Sequence, residues 1–456
     1  MKSAICHRHS SGRFLACRIF AFGSSAVVFN CLLLLPLQTA AQDPSQTHTV
    51  QAPSQAEMSH TSAPASPIGE LVKEAEQNNP EIAATVHGWQ AATHVPKQVS
   101  VLPETEVSVQ QFAVGSPRPF AGFSNSNFAY VGLGASQDLP WPGKRGLRGK
   151  VAELEANSLR EDSDAVRRRV IEALKTTYFR LAYIQQTLGV LQQSDQTLNQ
   201  VQQVVESRYR VGQGNQQDVL KAQLQHTKIL QEIAHHHQEE GQLEAQLKQI
   251  LNRPQSSPDI VAETLSPTFL LYTDAQLLQF AQEKNPDISS KQQMLRRNEA
   301  SIELAHKDFR PDLMASYMWQ HTNGQTPDYY MATVGIRLPN RGRQKAELEQ
   351  AEENRLRAQQ DLQAQIQQVL SDIKQQYVLV RSSEERLNIY KGGLIPQADA
   401  TFRSGLAAYQ ANRQDFETLL GNFLDVLNLD LDYRQELAEH EAAVARLERL
   451  TGVSLP

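Results

Sequence analysis

The chain has 456 residues, 40% of them hydrophobic, and a formal net charge of −6 at pH 7. Its mean hydropathy is −0.46, and Gln, Glu, Ala and Leu dominate long stretches, which suits long helices with one narrow apolar stripe rather than a thick globular core. Three cysteines are too few for a disulfide framework, and the acidic balance argues against nucleic acid as a partner.

The first 41 residues read as a secretory signal. Lys2, Arg8, Arg13 and Arg18 form a basic start, an apolar run follows from Ile19 to Leu37, and Thr39-Ala40-Ala41 offers a small-residue cleavage site. The run is also long enough for a retained anchor. Cys6, Cys17 and Cys31 all lie within this segment; Val28-Phe29-Asn30 before Cys31 does not resemble a lipid-attachment site. Removing the segment takes away four positive charges and no negative ones, so the net charge passes from −6 to −10. Residues 42–67 are rich in Pro, Ser, Ala, Gln and Thr without an apolar period, and are expected to be a flexible leader.

From Ile68 the chain states one pattern twice. LVKEAEQNNPEI at Leu71–Ile82 recurs as LLQFAQEKNPDI at Leu277–Ile288, with Asn79-Pro80 matching Asn285-Pro286. Leu139-Pro140 matches Leu338-Pro339, and Tyr209 and Gly212 match Tyr409 and Asn412. Matched landmarks in one order indicate an internal duplication. Repeat 1 is assigned to 68–252, a linker to 253–272 and repeat 2 to 273–452.

Each repeat opens with short helices and then changes period. Thr105–Ala113, Phe128–Leu139, Leu313–Gln320 and Tyr329–Leu338 alternate, and each approximates the ~9–11 residues a tilted strand needs to cross a bilayer. Gly115–Asn127 and Thr322–Asp328 are turn-rich and would close two hairpins. Trp141, Trp319, Tyr329 and Tyr330 stand near strand ends, where interfacial aromatics are expected. The same alternation also suits a soluble hairpin sheet. Pro and Gly in LPWPGKR and LPNRGR end the strands, and Lys144, Arg145, Arg148, Lys150, Arg341, Arg343 and Lys345 follow, a placement that suits lipid head groups or a solvated helix start.

Long helices come next, from about Gly143 to Tyr209 and onward from Leu348, with apolar residues at threes and fours. The first would extend about 100 Å. Gly392-Gly393 and Pro396 predict a break in the second. Return helices are expected over about Asn215–Leu251 and Asp415–Leu450. Gly212 and Asn412, the residue types that best tolerate positive φ, predict left-handed stops at the two hairpin tips.

No phosphate loop, nucleophile elbow or Cys-based metal motif is present, so neither enzyme activity nor a cofactor is indicated. His235-His236-His237 point in different directions on a helix and are expected to form a solvated face, with His235–Glu239 and His236–Glu240 pairs, rather than a metal site.

The duplicated order of short helices, β-hairpin, Pro/Gly handover, long helix, tip and return helix resembles the TolC family of outer-membrane efflux proteins. The resemblance spans about Ile68–Gly452; the LPWPGK and AYQANRQDFETLL stretches look most like its heavy-metal branch. It implies a mainly α fold with a β-barrel contribution: a homotrimer with a twelve-stranded barrel in outer-membrane lipid and a periplasmic helical tunnel. That tunnel would meet a periplasmic adaptor and an inner-membrane pump. The implied function is a passive exit duct, for metal cations or else for drugs or secreted peptides; a periplasmic coiled-coil adaptor is the contrasting reading. The resemblance also implies an entrance gate at Asp218 and Tyr409. Arg413 stands one place before the family's basic partner, where this chain has Gln414, and Asp415 substitutes for acidic positions that fall here on Thr418 and Gly421. The turns Val211-Gly212-Gln213-Gly214 and Ala411-Asn412-Arg413-Gln414 would contact the adaptor.

Overall fold

A computed structural model describes residues 65–112, 129–322 and 327–455. The signal segment, most of the leader, the Gly115–Asn127 turn and the centre of the Thr322–Asp328 turn lie outside the described residues. Repeat 1 runs α1 (Ile68–Asn78), α2 (Pro80–Thr93), α3 (Val95–Ser100), β1 (Glu106–Phe112), β2 (Tyr130–Leu139), α4 (Lys144–Arg210) and α5 (Gln216–Ile250). Repeat 2 runs α6 (Asp274–Lys284), α7 (Pro286–Asp308), β3 (Asp312–Thr322), β4 (Tyr329–Arg337), α8 (Arg341–Ile389), α9 (Ile395–Gln410) and α10 (Phe416–Thr451). With 67 residues, α4 extends about 100 Å.

The Asn-Pro landmarks have a physical purpose that both repeats share. Asn79 caps α2 by accepting from Ile82 N at 3.2 Å, while Pro80 takes the first helical position, where no N–H is needed. Its Nδ2 donates to Ile250 O at 2.8 Å, at the end of the return helix. Asn285 repeats this: Ile288 N donates to its Oδ1 at 3.0 Å and its Nδ2 reaches Leu450 O at 2.8 Å. One side chain thus satisfies a helix start and ties it to a helix end. The cores duplicate too: Leu71 and Ala75 pack with Leu174, Leu181 and Leu247, and Leu277 and Ala281 pack with Val369, Ile373 and Leu447.

The four strands form one antiparallel sheet in the order β1-β2-β3-β4. Opposed residues point to the same side. Val109, Leu133, Trp319 and Tyr330 therefore share one face, joined by Val107, Ala135, Tyr317, Ala332, Val334 and Ile336. The other face carries Ser108, Gln110, Ser136, Ser316, Gln320 and Thr333. Much of the apolar face is exposed, with Val107, Val334 and Ile336 each more than 60% accessible. Among the described residues no helix is long and apolar enough to cross a membrane.

Three details depart from expectation. The second long helix does not stop at Gly392-Gly393; residues Tyr390–Leu394 form a π turn that leads directly into α9. Pro396 has no N–H to offer the carbonyl four residues back, and the wider turn lets the helix continue past it. Lys144 does not face lipid. Its side chain is 3% exposed, 2.9 Å from Asp312 Oδ1 and Arg310 O and 3.4 Å from Asp308 Oδ1, and it locks the handover of repeat 1 to the start of β3 in repeat 2. The histidine pairs lie at i,i+3, His236–Glu239 and His237–Glu240, both at 3.2 Å. His236 is 14% exposed in its side chain, so this face is not wholly solvated.

Residues 252–273 run without helix between the repeats, and helix side chains satisfy their backbone. Gln185 Nε2 donates to Ile260 O at 2.9 Å, and Ala262 N donates to Gln185 Oε1 at 2.9 Å. Thr268 N and Leu270 N donate to Glu441 and Glu384, at 2.7 and 2.8 Å. His440 Nε2 donates to Thr268 O at 2.6 Å. The segment also carries Asp259, which receives Lys248 Nζ at 3.1 Å and lies beside Glu244. Burial and then the charge of Asp259 raise the Glu244 carboxyl to about 7. The folded chain therefore holds a proton there that the unfolded chain releases, and this contribution to stability is lost as pH rises from the ordinary carboxylate range through about 7. Glu244→Gln is expected to leave the melting temperature unchanged near pH ~5 and to raise it near pH ~8. Equal shifts at both values would count against this assignment.

Candidate functional site

Both tips end their first helix in the same way. Gly212, at φ 71°, donates N–H to Tyr209 O at 3.0 Å, and Gln213 N reaches Arg208 O at 2.8 Å. Asn412, at φ 58°, donates to Tyr409 O at 3.0 Å, and Arg413 N reaches Ala408 O at 2.9 Å. These are paired Schellman closures, with the left-handed residue as expected. The return helices start differently. Asn215 makes no side-chain cap, whereas Asp415 accepts from Thr418 N at 2.8 Å and from Thr418 Oγ1 at 3.0 Å. Those bonds hold the Asp415 carboxyl below its usual range. Asp415 is thus engaged as a helix cap.

Side chains make the two tips unequal. Tyr209 is 46% exposed, yet Tyr409 is 3% exposed, with its ring centroid 6.0 Å from that of Phe416. It belongs to a core shared by the two hairpins, with Val201, Val205, Ala222, Phe402 and Leu419. Over the Tyr409 ring lies the Arg208 guanidinium, 4.4 Å from the centroid. Arg208 also donates to Tyr409 O, to Asn412 Oδ1 and, at 3.4 Å, to Gln213 O. One arginine from the first hairpin therefore holds the backbone turn of the second. Lys221 and Glu417 add an ion pair between α5 and α10 at 2.9 Å.

Of the residues assigned to a gate, Asp218 and Tyr409 come together electrostatically without bonding to each other. Burial raises the Tyr409 phenol above its ordinary value, the charge of Asp218 adds to this, and Arg208 opposes it. Tyr409 Oη is buried without a hydrogen-bond partner among the described residues. Arg413 is exposed and joins neither. Arg208, which sequence reasoning missed, is the basic group that lies against Tyr409. Its repeat partner is Ala408, so the duplication itself does not mark it. Val211, Gly212, Gln213, Ala411, Asn412 and Arg413 are exposed at the ends of the hairpins, while Gly214 and Gln414 are half-buried behind them.

Among the described residues no group of three or more His, Cys, Asp or Glu side chains is placed to hold a metal ion.

The sequence matches a family model described as outer membrane efflux protein over residues 71–253 and 277–447. No curated protein matches it. Among solved structures, the fold is similar to the outer-membrane channel OprN, at 16% identity and a TM-score of 0.73 over 84% of this chain and 89% of that one. It is similar to CusC, at 17% identity and 0.73 over 85% and 92%. It is also similar to the outer membrane protein VceC of Vibrio cholerae, at 18% identity and 0.71 over 85% and 96%. At such identities the likeness is one of fold.

Proposed function

From the premise that the chain belongs to the outer membrane efflux protein family, we propose that it is the passive exit duct of a tripartite efflux system and that its cargo is metal cations. Three copies each give four strands to a barrel in the outer membrane, and their helices continue as a tunnel through the periplasm. The inner-membrane pump supplies the energy, and the exposed tips meet a periplasmic adaptor.

The observation that carries this reading is the sheet. It has an exposed apolar face, a polar face and two terminal strands, joined to helices about 100 Å long. A lone four-stranded sheet cannot sit in lipid, because its outer edges would leave backbone groups without partners. Closure by other copies removes those edges. The turns around Gly212 and Asn412 are offered as the docking points. Arg208, Tyr409 and Asp218, with Asp415 and Arg413 beside them, are offered as the entrance. The cargo assignment is supported by the net charge of −10 once the first 41 residues are removed, which favours cations. The two stretches that resemble the heavy-metal branch favour it too.

A strain lacking the gene is expected to become sensitive to divalent and soft monovalent metals, with antibiotic tolerance unchanged. Sensitivity to antibiotics alone would replace metal cargo by drugs. Recovery of the protein in the soluble periplasmic fraction would instead favour the adaptor reading.

A further inference from the structure

The duplication contains information about a contact that one chain cannot make with itself. Inside the chain, repeat 1 meets repeat 2 through β2 and β3, where Asp138 faces Met314 and Ala135 faces Tyr317. Strand β4 is the repeat partner of β2 at an offset of 199, as Leu139 to Leu338. Strand β3 is the partner of β1 at an offset of 208: Val109 faces Leu133 just as Tyr317 faces Ala332, the partner of Leu133. Carrying the β2–β3 junction over to β4 and β1 of two copies turns Asp138·Met314 into Arg337·Glu106. It likewise turns Ala135·Tyr317 into Val334·Val109, and Gly134·Met318 into Thr333·Gln110.

We propose that a second copy of this chain pairs its β1 with β4 in this register, Arg337 opposite Glu106, and that a clasp of Arg343 on Glu104 replaces across the junction the buried Lys144–Asp312 pair. This rests on the trimeric reading above and adds its register.

Two observations that do not use the offsets agree with it. The first is the faces. In this register Val334 and Ile336 meet Val109 and Val107 on the exposed apolar side, and Thr333 and Gly335 meet Gln110 and Ser108 on the polar side. A slip of one residue would invert every side chain. The second is charge. The β1 border carries Glu104 and Glu106, and the β4 border carries Arg337, which reaches Asp138 at 3.2 Å within one copy yet leaves its side chain 64% exposed, and Arg343, whose side chain is 74% exposed. Within one copy the Arg343 side chain contacts only Glu347 of its own helix, at 2.7 Å, among the described residues. Its repeat partner Lys144 is the buried link between repeats. A slip of two residues keeps the faces but sets Arg337 opposite Ser108 or Glu104, which undoes one or both charge matches.

The test is disulfide trapping in outer membranes of the full chain, with Cys6→Ala, Cys17→Ala and Cys31→Ala as background. Neighbouring opposed pairs alternate between close and wide spacing, so two are made: Thr333→Cys with Gln110→Cys, and Val334→Cys with Val109→Cys. Oxidation is expected to shift the monomer band of at least one pair into dimer and trimer bands with nothing higher, because a ring closes. Thr333→Cys with Ser108→Cys, or with Phe112→Cys, is expected to stay monomeric on the same gel. Trapping by a slipped pair, or by none in a protein that is trimeric by light scattering, overturns the register. A monomeric parent overturns the trimeric reading itself.

Discussion

Asn285→Ala is expected to lower the stability of the folded chain by about 2–4 kcal/mol, combining a lost N-cap with a buried carbonyl left without its donor. The side chain is 1% exposed, so water cannot replace either bond. It holds Ile288 N at the start of α7 and Leu450 O near the end of α10, residues separated by most of repeat 2. Asn285→Asp keeps the cap but sets a carboxylate against that carbonyl, and is expected to be no better than alanine. Asn79→Ala should lose a similar amount, because the same two bonds recur in repeat 1. Urea midpoints at one fixed protein concentration measure all three. Losses below about 0.5 kcal/mol at both positions would mean that other contacts, not this side chain, join helix start to helix end.

Arg208→Ala is expected to give the largest functional change. Arg208 makes charge-assisted hydrogen bonds to Tyr409 O and Asn412 Oδ1 and covers the Tyr409 ring. Such bonds contribute about 1.5–3 kcal/mol, a roughly ten- to hundred-fold shift in the balance between joined and separated tips. In planar bilayers the variant should show higher conductance than the parent, and cells carrying it should admit large antibiotics. Arg208→Lys should be intermediate, since one ammonium cannot reproduce the planar fork. Tyr409→Phe with Asp218→Ala is expected to open the channel less, because Tyr409 Oη has no partner to lose within the chain. If that double variant opens and Arg208→Ala does not, the latch lies in the phenol and the carboxylate, with partners on another copy.

Most of the fold was legible in the sequence, because its elements are set by local pattern. The tips were legible because Gly212 and Asn412 state their backbone conformation locally. The strands were legible from a two-residue period and the long helices from a stripe at threes and fours. Arg208 was not, because nothing in its neighbourhood distinguishes it from the other arginines at the end of α4. Asp415 was legible as an acidic group near the tip, but its engagement with Thr418 follows only from where α10 begins.

What the sequence determined, then, is what short-range pattern and self-comparison carry: the duplication with its Asn-Pro landmarks, the left-handed stops at the two tips and the alternating strands. What only the tertiary structure decided is where the two members of a repeated pair differ in burial. Tyr409 is covered and Tyr209 exposed, because α10 packs against α4 and brings Phe416 and Arg208 to one of the two rings. Lys144 is enclosed because Asp312 and Arg310 lie against it, whereas the exposed Arg343 side chain meets Glu347 of its own helix. Equivalent residues share a local code, and burial is settled by contacts some two hundred residues away.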